Sequence, residues 1–304
     1  MKLCIVFAML GLLPLAPLPT ANDASPVSYR HHGDTLMFDS QAEYAVLDSV
    51  ISEHNNITYL FLFGQGLDSL PESIRSLKKL AVLNIGGNNI SSLPEWIADL
   101  GNLKSLNLGG SYLLDFGQAF SILARCSTLE ELQIYGNEFK KLPVGLGTLS
   151  NLKKLDLSSN DLVTLSGEMA GLKNLREISL DKNPDLDLQG TFDVLSKVTK
   201  LERISLYQND IAALPANIAR LTQVKTLLLG HNMIGSIPAE ICSLASLEWL
   251  GVELNDLESL PDCITTLPHL RLLTLAGNKF DSVQVEEIRR SLPDCRVVVT
   301  ARSL

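Results

Sequence analysis

Ten times between Ile57 and Leu292 the chain restates one apolar skeleton, LxxLxLxxNxLxxLPxxIxxLxx. The copies begin at Ile57, Leu80, Leu103, Leu129, Leu152, Leu175, Leu201, Val224, Leu247 and Leu270, at intervals of 23 residues with two of 26. The stretch LKKLDLSSNDLVTLSGEMAGLKN, residues 152–174, shows the pattern. A period of this length means one small structural unit repeated along the chain. No single copy can bury its leucines alone, so neighbours must stack and share one continuous core.

Within each copy the LxL alternation predicts a short strand, leucines inward and variable residues outward. The ninth position is asparagine in eight copies, with Gln65 and Ser111 in the other two. A buried amide must be hydrogen-bonded, and stacked asparagines can serve the unpaired groups of a turning backbone. The LPxxIxxL half then spaces its apolar residues as a helix does, with proline fixing the entry. The copies starting at Leu103 and Leu175 are the longer pair and lack the LP dipeptide; they are expected to form fuller helices.

These motifs resemble the 23-residue LPxxI type of the leucine-rich repeat family, over Ile57 to about Cys295. In its compact exported form, with an LPDCRVVV end, the chain is similar to bacterial rather than animal members. The resemblance implies an α/β fold: a right-handed solenoid, or horseshoe, of ten repeats with a concave parallel β-sheet and helical caps at both ends. It also implies a protein-interaction module.

The expected organisation is a signal peptide over 1–24, a polar leader and N-terminal cap helix over 25–56, repeats over 57–280, and a C-terminal cap helix and strand over 281–304. The start MKLCIVFAMLGLLPLAPLPTANDA places one lysine before a short apolar run and small residues, the layout of an export signal too short to span a bilayer. Ser40-x-x-Glu43 is a capping-box signature that predicts a helix from about Ser40 to His54. Val285, Ile288 and Leu292 predict a second helix before Pro293, and RVVVT a last strand, so that one domain is closed at both ends. Secretion, periplasmic or cell-surface, follows from the leader, with no membrane span after its removal.

The formal charge of −9 disfavours a phosphate backbone as partner. Cys126, Cys242, Cys263 and Cys295 lack the spacing of a zinc site or a disulfide framework. Free buried thiols are the first expectation; one disulfide, Cys263 with Cys295, is the alternative. His31-His32-x-Asp34 falls in the polar leader and is read as disordered rather than metal-binding. No nucleophile elbow, P-loop, HExxH or dinucleotide fingerprint occurs, and no cofactor is implied. Acid pairs such as Asp156 and Asp181 would sit on an open, wet sheet without the burial that raises a catalytic pKa.

Positions three, five and seven of each copy face off the concave sheet, a surface about 45 Å long at roughly 4.8 Å per strand. Its middle is expected to be a self-neutralising ladder, Glu130 and Glu131 beside Lys153 and Lys154, with Arg176 and Glu177, then Glu202 and Arg203. The expected anchors of a partner are Tyr135, Tyr207, Leu228, Trp249 and Leu272, because rigid aromatic and apolar groups dominate hot spots. Glu177, Asp181, Arg203 and Glu253 are their expected polar neighbours. A second candidate is a trough about 14 Å across where Gly86 and Gly109 lie between Phe61 and Phe63 on one side and Tyr135 on the other. It would suit a peptide or a sugar, although Tyr59, Phe61 and Phe63 are expected rather to pack beneath the cap. The function read from the sequence is an exported module binding a protein or peptide partner. A surface carbohydrate-binding or adhesion module is the alternative, and a small hydrolase the minor one.

Overall fold

The computed structural model describes residues 29–39 and 41–299. The expected signal peptide, and Ser40 of the expected capping box, lie outside them. The described chain coils into a solenoid whose thirteen strands form one sheet in sequence order. Ten strands start at the third position of successive copies: β3 (Tyr59–Phe61), β4 (Val82–Asn84), β5 (Ser105–Asn107), β6 (Glu131–Gln133), β7 (Lys154–Asp156), β8 (Glu177–Ser179), β9 (Arg203–Ser205), β10 (Thr226–Leu228), β11 (Trp249–Gly251) and β12 (Leu272–Thr274). Neighbours pair in parallel with like positions opposed, as in Thr226↔Trp249↔Leu272. This register carries every third-position side chain into one row and every fifth into the next.

The consensus leucines form a single core along the coil, with Leu155, Leu157, Leu227 and Leu250 essentially inaccessible to solvent. Beside it the ninth-position asparagines do what a turning backbone requires. Asn232 donates to the carbonyls of Leu229 and Leu206 at 2.8 and 3.0 Å, and its oxygen accepts from the amides of Asn209 and Ile211 at 2.8 and 3.2 Å. The eighth position is left-handed in every copy: Gly136 and Gly277 take it freely, whereas Ser159, Lys182, Gln208, His231 and Leu254 take it with a side chain, at φ of 54–59°.

The convex side divides as expected. In copies with LP, one tight 3-10 turn follows the proline, as at Ala216–Arg220 after Pro215. The two longer copies form α-helices instead, α2 (Phe116–Leu123) and α3 (Leu188–Leu195), capped by Asp115 and Asp187. Three extra residues supply most of a helical turn, and no proline interrupts it. After the last copy come α4 (Ser282–Ser291), with a capping box between Asp281 and Gln284, and β13 (Arg296–Val298).

The N-terminal part differs from expectation. The helix α1 spans Tyr44–Glu53, and its cap residue Glu43 makes no side-chain cap bond. The leader is ordered: β1 (Tyr29–His32) and β2 (Thr35–Phe38) form an antiparallel hairpin through Gly33, and β2 adds to the sheet beside β3. Leu36 and Phe38 alternate into the core, which gives this polar segment its strand. His31 lies edge-on to His54 at 4.2 Å rather than in a disordered tail, and burial, then His54, lowers its pKa.

Both cysteine expectations are corrected: Cys242 and Cys263 are not free thiols, and the alternative Cys263–Cys295 bridge does not form. Cys242 joins Cys263 across the convex turns of adjacent copies, at a Cα separation of 6.0 Å. Cys126 and Cys295 are free, each thiol pushed up to about 11 by burial.

Candidate functional site

The register turns the variable positions into rows with different electrostatics. On the second and third positions charges pair between strands: Lys153 with Glu130 at 2.7 Å, Lys154 with Glu177 at 3.4 Å and Glu131 at 3.8 Å, and Glu202 with Arg176 at 3.0 Å and Lys225 at 3.4 Å. This is the expected ladder, and exposed pairs of this kind contribute little each. Arg203 leaves the ladder. Its guanidinium stands 5.3 Å from the centre of the Trp249 ring, crossing the Thr226 strand, in cation–π geometry.

On the fifth and seventh positions the carboxylates are held by neutral donors. Asp181 accepts from the Ser205 hydroxyl at 2.6 Å and the Tyr207 amide at 2.8 Å. Asp156 accepts from the Ser158 amide at 2.9 Å, and Glu253 from the Thr274 hydroxyl. Asp156 corrects the picture of a wet acid pair. Burial raises its pKa first; the bonds from Ser158 oppose that, and Asp181 adds to it. Burial likewise raises the Tyr207 phenol, followed by the charges of Glu253 and Asp181.

Glycines decide how the larger groups lie. A Cβ on Gly230 would meet Glu253 at 2.6 Å and the Tyr207 ring at 3.1 Å, and one on Gly251 would meet Leu228 at 2.9 Å. Tyr207, Leu228 and Glu253 therefore rest down on bare backbone. Their neighbours are Trp249 and Leu272, directly opposed in β11 and β12. All five expected anchors are half-buried, as are Glu177, Asp181, Arg203 and Glu253. Tyr207, Leu228, Trp249 and Leu272 gather over β9–β12 with Arg203, Asp181 and Glu253. Glu177 is tied into the ladder. Tyr135 stands apart on the N-terminal side.

The expected trough is narrower than its sequence implied. A Cβ on Gly109 would meet the Tyr135 ring at 2.6 Å, and one on Gly87 would meet Phe63 at 3.1 Å. The rings of Tyr135 and Phe63 fold inward over these glycines, and Asn107 reaches the Tyr135 hydroxyl at 3.3 Å. Phe63, expected beneath the cap, is 49% exposed.

Two participants escape the sequence reading. His231, at the left-handed eighth position, brings its ring 5.4 Å from Tyr207. Leu254 leans over Gly277 and stays 48% exposed despite its left-handed backbone. That conformation belongs to the repeat, since the eighth position is left-handed in every copy. No group of three metal-ligating side chains occurs among the described residues.

The leucine-rich repeat family model matches residues 54–113, 127–184 and 222–280, more than half of the chain. A search of curated proteins found no match. Among solved structures, an internalin (inlF) from Listeria monocytogenes is 22% identical, with a TM-score of 0.55 over 82% of this chain and 76% of that one. An assembly of Latrophilin 3, Unc5D and FLRT2 contains a chain 23% identical, with a TM-score of 0.62 over 83% of this chain and 78% of that one. A chain of the Toll–Spatzle complex of Drosophila is 21% identical, with a TM-score of 0.63; the match covers 88% of this chain and 42% of that one. These likenesses concern the fold.

Proposed function

This chain belongs to the leucine-rich repeat family, and from that premise we propose that it is an exported interaction protein whose concave sheet binds a protein or peptide partner. Leucine-rich repeat proteins are generally interaction modules, and complexes with protein partners occur among the structural neighbours. One observation carries the reading: Tyr207, Leu228, Trp249 and Leu272 form a half-buried aromatic and aliphatic patch on the open sheet, rimmed by Arg203, Asp181 and Glu253 already fixed by their own contacts. A preformed surface spares a partner part of the ordering cost of association. Export rests on the 1–24 leader; no described helix is long and apolar enough to cross a membrane. The acidic balance disfavours nucleic acid. The glycan alternative rests on the glycine trough and its tyrosines, a trough that the rings of Tyr135 and Phe63 narrow.

The test is affinity capture from secreted and surface fractions with protein starting at residue 25, beside a Tyr207→Ala/Trp249→Ala variant. Capture by the first and loss by the second is expected, with nearly unchanged melting temperatures. Equal capture by both moves the site off the concave face.

A further inference from the structure

We propose that the concave face, on the reading above, selects an extended peptide carrying two cationic side chains four residues apart with an apolar residue midway. Across all ten copies the fifth and seventh positions carry three carboxylates, Asp156, Asp181 and Glu253, and no basic residue. Glu130, Glu131, Glu177 and Glu202 on the neighbouring rows are ion-paired. Among the described residues the three are not; hydroxyls and amides fix them instead. Such donors orient a carboxylate without cancelling its charge, so the inner rows hold a preorganised negative track that a cation complements. Tyr207 stands in the middle of that track, its phenol pKa raised by burial first and only then by the charges of Glu253 and Asp181.

Spacing then defines the ligand. Asp181 follows β8 and Glu253 follows β11, three strand steps or about 14 Å apart. An extended peptide rises roughly 3.3 Å per residue and returns its side chains to one face every second residue. Side chains at i and i+4 therefore reach the two ends of the track, with Asp156 reinforcing the first. The residue at i+2 falls above Tyr207 and Leu228, the apolar middle.

The probes are synthetic nine-residue peptides measured by fluorescence anisotropy: lysines at i and i+4 with leucine between, lysines at i and i+3, and glutamates at i and i+4. The first is expected to bind at least ten-fold tighter than the others and to weaken with salt. Asp181→Asn/Glu253→Gln, whose amides keep the bonds from Ser205, Tyr207 and Thr274, is expected to weaken it ten-fold or more at an unchanged melting temperature. Equal binding of all three peptides, binding of none, or full binding by the carboxylate variant overturns the proposal. If that variant still captures the cellular partner and Tyr207→Ala/Trp249→Ala does not, the cationic preference falls while the concave site stands. If both capture it, both readings fall.

Discussion

Asn232 shows why one side-chain type recurs at the ninth position. It must donate twice and accept twice in a space closed to water, and an amide combines both roles. In Asn232→Ala the Leu229 carbonyl keeps a bond from Asn255. The Leu206 carbonyl and the amides of Asn209 and Ile211 lose their partner. At about 1–3 kcal/mol for each buried orphan, the variant is expected to lose at least about 3 kcal/mol in urea titration. Asp156 gives the opposite case, a residue that costs stability when charged. Its folded pKa lies above the ordinary aspartate value. The folded state therefore holds the proton more tightly, and that contribution, complete below about pH 4, is lost as pH rises through the folded pKa. Asp156→Asn keeps an acceptor for Ser158 and carries no charge. It is expected to melt above the parent protein at pH 7 and level with it near pH 3, read by differential scanning calorimetry.

Single elements divide into those dictated by repetition and those dictated by neighbours. The disulfide is of the second kind: Cys242 and Cys263 differ by 21 residues, two short of the period, so only the actual path of the convex turns brings them together. Closing a loop of that size removes unfolded-state entropy equivalent to about 3 kcal/mol. Cys263→Ser is expected to lower unfolding stability by about 2–3 kcal/mol while leaving concave-face binding unchanged, since the bridge lies on the opposite side. The same distinction explains what the sequence made legible. Strands and the asparagine ladder follow from patterns that each copy repeats, so errors average out, whereas the α2 and α3 helices were legible because two copies depart from the pattern by three residues and a missing LP. The β1–β2 hairpin has no second copy, and its Leu36–Phe38 alternation is too short to stand out from a polar leader. At the site, the positions of Tyr207, Leu228 and Trp249 were legible from register alone. The tilt of Tyr135 over Gly109 and the reach of Arg203 to Trp249 were not, because both depend on side-chain choices between strands.

At the scale of the molecule, a solenoid is nearly one-dimensional: each coil is held by the coils beside it, and the last needs a cover. Here β13 pairs along the edge of β12, with the Leu275 amide donating to Val298 at 2.7 Å and the Arg296 amide to Arg271 at 2.8 Å. Removing residues 281–304 would bare the edge of β12 and open the core at Leu270, Leu273 and Leu275, a hydrophobic edge that favours pairing with another chain. The truncated protein is expected to self-associate at micromolar concentration in light scattering. It should also exchange amide hydrogens fastest over residues 264–280. The Cys242–Cys263 bridge staples the two coils before that point, so fraying should stop near Cys263 and spread toward β10 only when Cys263→Ser is added. Uniform exchange along the whole truncated chain would show instead that the coils unfold as one unit, and that β13 governs the entire sheet, including the concave site one to five strands away.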